Sequence, residues 1–288
     1  MVHMKVKRKE VRIKSLAFII LVCSFVLTGC GSKEVVQSLS PEERFAKAKA
    51  LFDNEDYLDA IQEFTIITLQ YQGSAVAADA QYYLAECRFK RGEYLLASYE
   101  YQTLKRNMAA SPRVPEAQYK LGLCFYMLSP KSRLDQQYTK RAIDELQAYV
   151  EYYPQSEFVA DATAKIAELT NRLAKKDYDT AVLYTRMDYN KAALFYYDNV
   201  IEKYHDTEYA PLAYLGKTEL LMARKKYAEA KSVISKFLEK YPNSVLRGRA
   251  DKLNEQIDAE LKNLPSASGK QSGDAGRLPS DTNLLQTR

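Results

Sequence analysis

Tyr57 to Ser74 reads "YLDAIQEFTIITLQYQGS" and Tyr227 to Ser244 reads "YAEAKSVISKFLEKYPNS". Far apart in the chain, both begin with tyrosine and place alanine three residues later. A second tyrosine follows eleven after the alanine, with serine three beyond it. The same frame fits Ala142, Tyr153 and Ser156 in "AIDELQAYVEYYPQS", and Ala193, Tyr204 and Thr207 in "ALFYYDNVIEKYHDT". A further copy, "GEYLLASYEYQTLKR", keeps Tyr94 and Ala97 but lacks the closing tyrosine. Self-similarity at a fixed frame is the mark of a repeat architecture, in which each unit buries its apolar face only against its neighbours.

Upstream of four of these alanines a small residue stands twelve positions earlier: Ala48, Ala85, Ala181 and Thr218. Before Ala142 the corresponding Gly122 is twenty back, because "SPKSRLDQQY" (129–138) lengthens the intervening turn. Small residues at facing points let antiparallel helices approach closely. This pattern resembles the tetratricopeptide repeat: helix A with a small residue, a tight turn with tyrosine, helix B with alanine, then a closing turn. Successive helix-B alanines lie 37, 45, 51 and 37 residues apart. The 45 holds the insertion, and the 51 implies one long helix A over Asp161 to Arg186. A helix over about 246–264 should cap the array. The expected fold is all-α: an α-solenoid of about five tetratricopeptide-like repeats over 41–264 with a C-terminal capping helix.

Composition agrees, with 23 tyrosines, no tryptophan and ten glycines. "SPEE" gives a start signal, Ser40 as N-cap, Pro41 at the first helical position and Glu43 completing a capping box. Residues 265–288, rich in Gly, Ser, Pro and Asp without apolar periodicity, read as a disordered polar tail.

The N-terminus carries Lys5, Lys7, Arg8, Lys9, Arg12 and Lys14 against Glu10 alone, followed by the apolar "LAFIILVCSFVLTG". A basic segment, an apolar core and small residues before a cut site read as a secretory signal over 1–29. "LTGC" resembles the bacterial lipobox, whose cysteine receives a diacylglycerol, so Cys30 is the expected lipidation site and 30–40 a lipidated tether. Gly31 is not the aspartate that retains many lipoproteins in the inner membrane, which points to the outer membrane. Of 42 Lys+Arg and 37 Asp+Glu, removing six basic groups and one acid leaves 36 of each. A formally neutral chain offers no general case for nucleic acid.

Helix-A positions three before and four after the small residue are Phe45 and Phe52, Tyr82 and Phe89, Tyr119 and Tyr126. In the later repeats they become Tyr178 and Thr185, then Leu215 and Met222. Each pair is seven apart and shares one helical face. Two readings stay open. The aromatics fill the space between helices, or they wall a peptide-binding groove along repeats one to three, where rigid rings give large contact area.

Cys87 and Cys124 fall two residues after their small residues. Equivalent points on successive helices lie about 8–10 Å apart, beyond the roughly 7 Å a disulfide spans, so two buried thiols are expected. "LGKT" (215–218) imitates the end of a phosphate loop, but Pro211 stands where that motif requires glycine. No catalytic or metal motif is present, so no enzyme activity and no cofactor or metal is expected.

Residues 30 to about 264 are similar to the BamD family, lipoprotein subunits of the outer-membrane β-barrel assembly machinery. The most specific stretches are "DAQYYLAECRFKRGEYLLASYEYQTLKR", "SPRVPEAQYKLGLCFYML" and "YYPQSEFVADATAKIAELTNRLAKKDYDTAVLYTR". The resemblance implies a lipid-anchored, periplasm-facing adaptor. Its N-terminal repeats would receive the C-terminal targeting segments of unfolded outer-membrane proteins, and its C-terminal half would dock the POTRA region of BamA. Alternatives are a periplasmic scaffold for cell division or peptidoglycan synthesis, and a glycan-capturing lipoprotein.

Overall fold

A computed structural model describes residues 39–263. The signal segment, Cys30 and the polar tail lie outside the described residues. The chain forms two compact units, one through Cys87 and one from Arg88 onward. The fold is all-α, of tetratricopeptide type.

The first unit holds α1 (Pro41–Asp53), α2 (Tyr57–Gln70) and most of α3 (Ala77–Lys90). Helix α1 starts as the sequence predicts. The Glu43 amide donates to Ser40 Oγ at 3.2 Å, and the Ser40 amide donates to the Glu43 carboxylate at 2.9 Å. Such a cap stabilises by about 1 kcal/mol. Ala48 and Ala60, both fully buried, join Phe64, Ile67, Ala80, Leu84 and Cys87 in one core.

The second unit takes the end of α3, then α4 (Tyr94–Asn107), α5 (Val114–Leu128), α6 (Gln137–Tyr152) and α7 (Val159–Arg186). It continues through α8 (Asn190–Lys203), α9 (Tyr209–Ala223), α10 (Tyr227–Lys240) and α11 (Arg247–Asn263). Each helix from α4 on packs against the next, and α5 also meets α7, α7 meets α9, and α9 meets α11. Sequential pairing plus contact between alternate helices is how repeats stack.

The repeat frame has a physical reading at each position. Ala85, Ala97, Ala142, Ala181, Ala193, Thr218 and Ala230 are fully buried. At Gly122 a Cβ would stand 2.6 Å from Leu146 Cδ2, so α5 and α6 touch at glycine. The turns inside the repeats place Glu55, Gly92, Asp188 and Lys225 at φ between 58° and 75°. There the next amide reaches back to a carbonyl five residues earlier (Asp56 to Leu51, Glu93 to Arg88, Tyr189 to Tyr184, Lys226 to Leu221), each at 2.9 Å. That left-handed closure satisfies helix-end carbonyls. Between repeats, the Ser or Thr amide of the frame donates to the carbonyl three earlier: Ser74 to Tyr71, Ser156 to Tyr153, Thr207 to Tyr204, Ser244 to Tyr241. Met108 accepts from Ser111 in the same way, so the missing tyrosine of the second repeat costs no backbone geometry.

Helix α7 is the long element expected, starting two residues earlier, at Val159, and running 28 residues. It packs against α5 and α6 on one side of the array and α8 and α9 on the other, so it serves two neighbouring repeats without a break. Helix α11 buries Ala250 and Ile257 against the last repeat, and Lys231 of α10 donates to Asn254 at 2.8 Å.

The 129–138 insertion is ordered by one glutamine. Gln136 is buried; its amide nitrogen donates to the carbonyls of Lys131 and Leu134, both at 3.0 Å. Its oxygen accepts from Thr139 at 2.8 Å. Arg172 of α7 donates to Ser129 Oγ at 2.6 Å and to the Ser129 carbonyl at 3.1 Å. Lys176 donates to the Leu134 carbonyl at 2.7 Å. The insertion is a fitted piece of the second unit.

Candidate peptide-binding surfaces

In the first unit Phe45 and Phe52 meet a ring the helix-A spacing did not select, Tyr83. It lies 6.0 Å from Phe45, 5.1 Å from Phe52 and stacks on Phe64 at 5.8 Å. The Lys49 ammonium sits 5.6 Å from the Phe52 ring and 5.2 Å from Tyr83, on the same face of α1. Phe45 and Phe52 are both half-buried, and Phe52 lies beside the Lys49 cation. Tyr82 is different, only 4% exposed with its edge on Tyr83 at 5.5 Å. The Tyr82–Tyr83 doublet was the available signal: the residue one step along carries the cluster.

In the second unit Phe89 is half-buried, 5.2 Å from Tyr94 and under the Lys120 ammonium at 5.3 Å. Tyr119 is 7% exposed, stacked on Phe158 at 4.7 Å and 5.3 Å from Tyr149, with its hydroxyl donated to Asp161. Burial, then the bond to the Asp161 carboxylate, pushes its pKa well above the usual tyrosine range. Tyr119 therefore joins α5 to α7. At Tyr82 and Tyr119 helix packing already occupies the rings, which fits the reading in which aromatics fill the space between helices.

Tyr126, two turns beyond Tyr119, is half-buried and donates to Glu168 at 2.6 Å, with Lys165 over its ring at 5.1 Å. Its pKa is raised first by that bond and then by burial. Along α7, Lys165 donates to Asp161 at 2.8 Å and Arg172 to Glu168 at 2.7 Å. Burial alone would raise the Asp161 pKa; the bonds from Lys165 and Tyr119 outweigh it and hold it below the usual value. This acid–base row was missed in the sequence, although its i, i+4, i+7, i+11 spacing places Asp161, Lys165, Glu168 and Arg172 on one face.

A second surface forms around the α7–α8 turn. Leu183, Met187, Tyr189 and Phe195 are all at least half exposed, Phe195 at 59%. Behind them Tyr184 and Tyr196 stack at 5.6 Å. All four belong to the run "LYTRMDYNKAALFYY". The phosphate-loop mimic has a packing explanation: Gly216 lies in α9, where a Cβ would meet the Tyr197 ring end at 2.7 Å. Cys87 and Cys124 are buried thiols, neither in a disulfide. Among the described residues no group of three or more His, Cys, Asp or Glu could hold a metal, and no helix is long and apolar enough to cross a membrane.

Residues 37–232 match the family model of YfiO, described as outer membrane lipoprotein, spanning α1 into α10. The chain belongs to the YfiO family of outer membrane lipoproteins. The outer membrane protein assembly factor BamD of Rickettsia prowazekii is 26% identical over 229 residues, covering 78% of this chain and 90% of that protein. BamD of Neisseria meningitidis serogroup A is 24% identical over 243 residues, 78% of this chain and 91% of that one. Among solved structures, a TPR-repeat protein from Bacteroides fragilis is 11% identical with a TM-score of 0.43, covering 76% of this chain and 98% of that one.

Proposed function

We propose that this protein is an outer-membrane protein assembly factor: an adaptor anchored by lipid at Cys30, facing the periplasm, and acting as a non-catalytic subunit of the β-barrel assembly machinery. The observation that carries the reading is family membership over 37–232 together with assembly-factor relatives matched over nine-tenths of their length. In this reading 1–29 is a cleaved signal, 30–40 a tether and 265–288 a polar tail. Unfolded outer-membrane proteins are received at the half-buried rings, Phe45 and Phe52 in the first unit and Phe89 and Tyr126 in the second. All four rings are half-buried, and Phe52, Phe89 and Tyr126 each have a lysine within cation–π range, which suits an extended segment bearing aromatic and acidic groups. The exposed patch of Leu183, Met187, Tyr189 and Phe195 in the second unit is the proposed dock for the POTRA region of BamA.

Two experiments test this. Mature protein immobilised through its tether should recover a POTRA-containing barrel from detergent-solubilised envelopes, and Phe195→Asp should abolish recovery without changing the melting temperature. Depletion of the protein should lower β-barrel proteins together. Cell chaining with normal barrel levels would instead mark a division scaffold and overturn the proposal.

A further inference from the structure

Helices α8 and α10 both pack on α9 rather than on each other, and between them lies a cleft of about 490 Å³. Its floor is apolar: Tyr214 is buried, and Ile201 and Val233 are half-buried against the same core. Its two walls carry opposite charge. Asp198 and Glu202 stand one turn apart on α8, and Lys236 and Lys240 stand one turn apart on α10. Lys217 of α9 already neutralises Asp198. Glu202, Lys236 and Lys240 take part in no side-chain hydrogen bond or ion pair among the described residues. Tyr241, after α10, donates to the His205 carbonyl, after α8, at 2.9 Å and ties the walls together at one end. An apolar floor between opposite, unneutralised charges suits a segment with aliphatic side chains flanked by an acid on one side and a base on the other.

The sequence after α11 carries that pattern. Residues 265–276, "PSASGKQSGDAG", contain no Leu, Ile, Val, Met or aromatic residue. Residues 277–288, "RLPSDTNLLQTR", contain three leucines, and the Leu284–Leu285 pair has Asp281 three residues before it and Arg288 three after it. From Asp281 to Arg288 an extended chain spans at most about 25 Å. Two helices packed at about 8–10 Å on either side of a third stand no more than about 20 Å apart, so one crossing of the cleft sets the acid at one wall and the base at the other. The segment also has the reach. Lys231 of α10 donates to Asn254 at 2.8 Å and to Asp258 at 2.6 Å, so α11 runs back along α10 and Asn263 lies near the start of α10. The eighteen residues from Asn263 to Asp281 cover up to about 60 Å, against about 21 Å for the whole length of α10.

We propose that the cleft between α8 and α10 is a docking site for the chain's own segment 277–288, with Leu284 and Leu285 on the apolar floor, Asp281 against Lys236 and Lys240, and Arg288 against Glu202. Cleft and segment both belong to the second unit, and the contact stands independently of the assembly role.

The test is fluorescence anisotropy of a dye-labelled peptide of residues 277–288. It is added to the mature full-length protein carrying Leu284→Asp with Leu285→Asp, so that the tethered copy cannot compete. Saturable binding is expected, and the parent protein should bind the peptide about tenfold more weakly because its own segment competes. Adding Lys236→Glu with Lys240→Glu to the acceptor should weaken binding about tenfold or more, and an Asp281→Lys peptide should recover most of that loss. Reversing two exposed lysines outside the cleft, Lys191→Glu with Lys252→Glu, should leave binding and melting temperature unchanged. No saturable binding up to about 1 mM, or equal weakening by the two charge reversals, would overturn the site. Equal binding by the parent and the acceptor would overturn the chain's own segment as the occupant. A dimer in sedimentation that Leu284→Asp with Leu285→Asp dissociates would assign the segment to the cleft of a second copy and overturn the tethered contact.

Discussion

Substituting Gly122 with alanine tests whether the close approach of α5 to α6 requires glycine. Two effects oppose each other. Alanine inside a helix is worth about 1 kcal/mol over glycine. Against this, the new Cβ would lie 2.6 Å from Leu146 Cδ2, 2.7 Å from Leu146 Cγ and 3.4 Å from the Leu146 amide nitrogen. Leu146 is fully buried on α6, so its branch point has nowhere to move and the helices must separate. Overpacking of that kind costs about 1–3 kcal/mol. Sterics should win by about 1 kcal/mol, lowering the melting temperature by roughly 2–4 °C in a unit of this size. The sharper measurement is the double-mutant cycle with Leu146→Ala, read by urea unfolding followed by circular dichroism. Leu146→Ala alone should destabilise by about 2–5 kcal/mol. In that background the clashing atoms are gone, so Gly122→Ala should become stabilising by up to about 1 kcal/mol. A change of sign between backgrounds is the expected signature. If Gly122→Ala stabilises the parent protein, or costs the same in both backgrounds, the α5–α6 contact is not what selects glycine.

Gly92 sits at φ 75° with nothing within 4 Å of an added Cβ, so Gly92→Ala should cost about 1 kcal/mol from the backbone alone, with Gly92→Asn recovering much of it in thermal melts. Tyr119→Phe should lose about 1–2 kcal/mol by removing the hydroxyl from Asp161, with the parent and variant compared by urea unfolding. Because burial and Asp161 raise the folded-state pKa of Tyr119, its contribution is complete below the unfolded value of about 10 and falls as pH rises above it. The parent's stability should therefore drop more steeply above about pH 10 than that of Tyr119→Phe, read by unfolding at stepped pH. Cys87 and Cys124 are both fully buried, so a maleimide should label neither in the native protein and both in denaturant. Labelling under native conditions would show that those helices open.

What the sequence determined by itself is the repeat: its frame, its helix-A and helix-B small residues, its turns and the long α7. These are legible because each depends on groups close along the chain. The capping box spans three residues, the inter-repeat turns close over three and the left-handed turns over five. The helix-A to helix-B distance is set by a short connection. Only the tertiary structure decided which aromatic rings remain available. Tyr119 and Tyr126 sit at equivalent points two turns apart on α5, yet one is buried beneath Phe158 and the other half-open under Lys165. Their hydroxyl partners, Asp161 and Glu168, are each 42 residues away, and Arg172 reaches Ser129 across 43. Helical periodicity puts a side chain on a face. What covers that face depends on how neighbouring repeats stack, and local sequence does not encode that stacking.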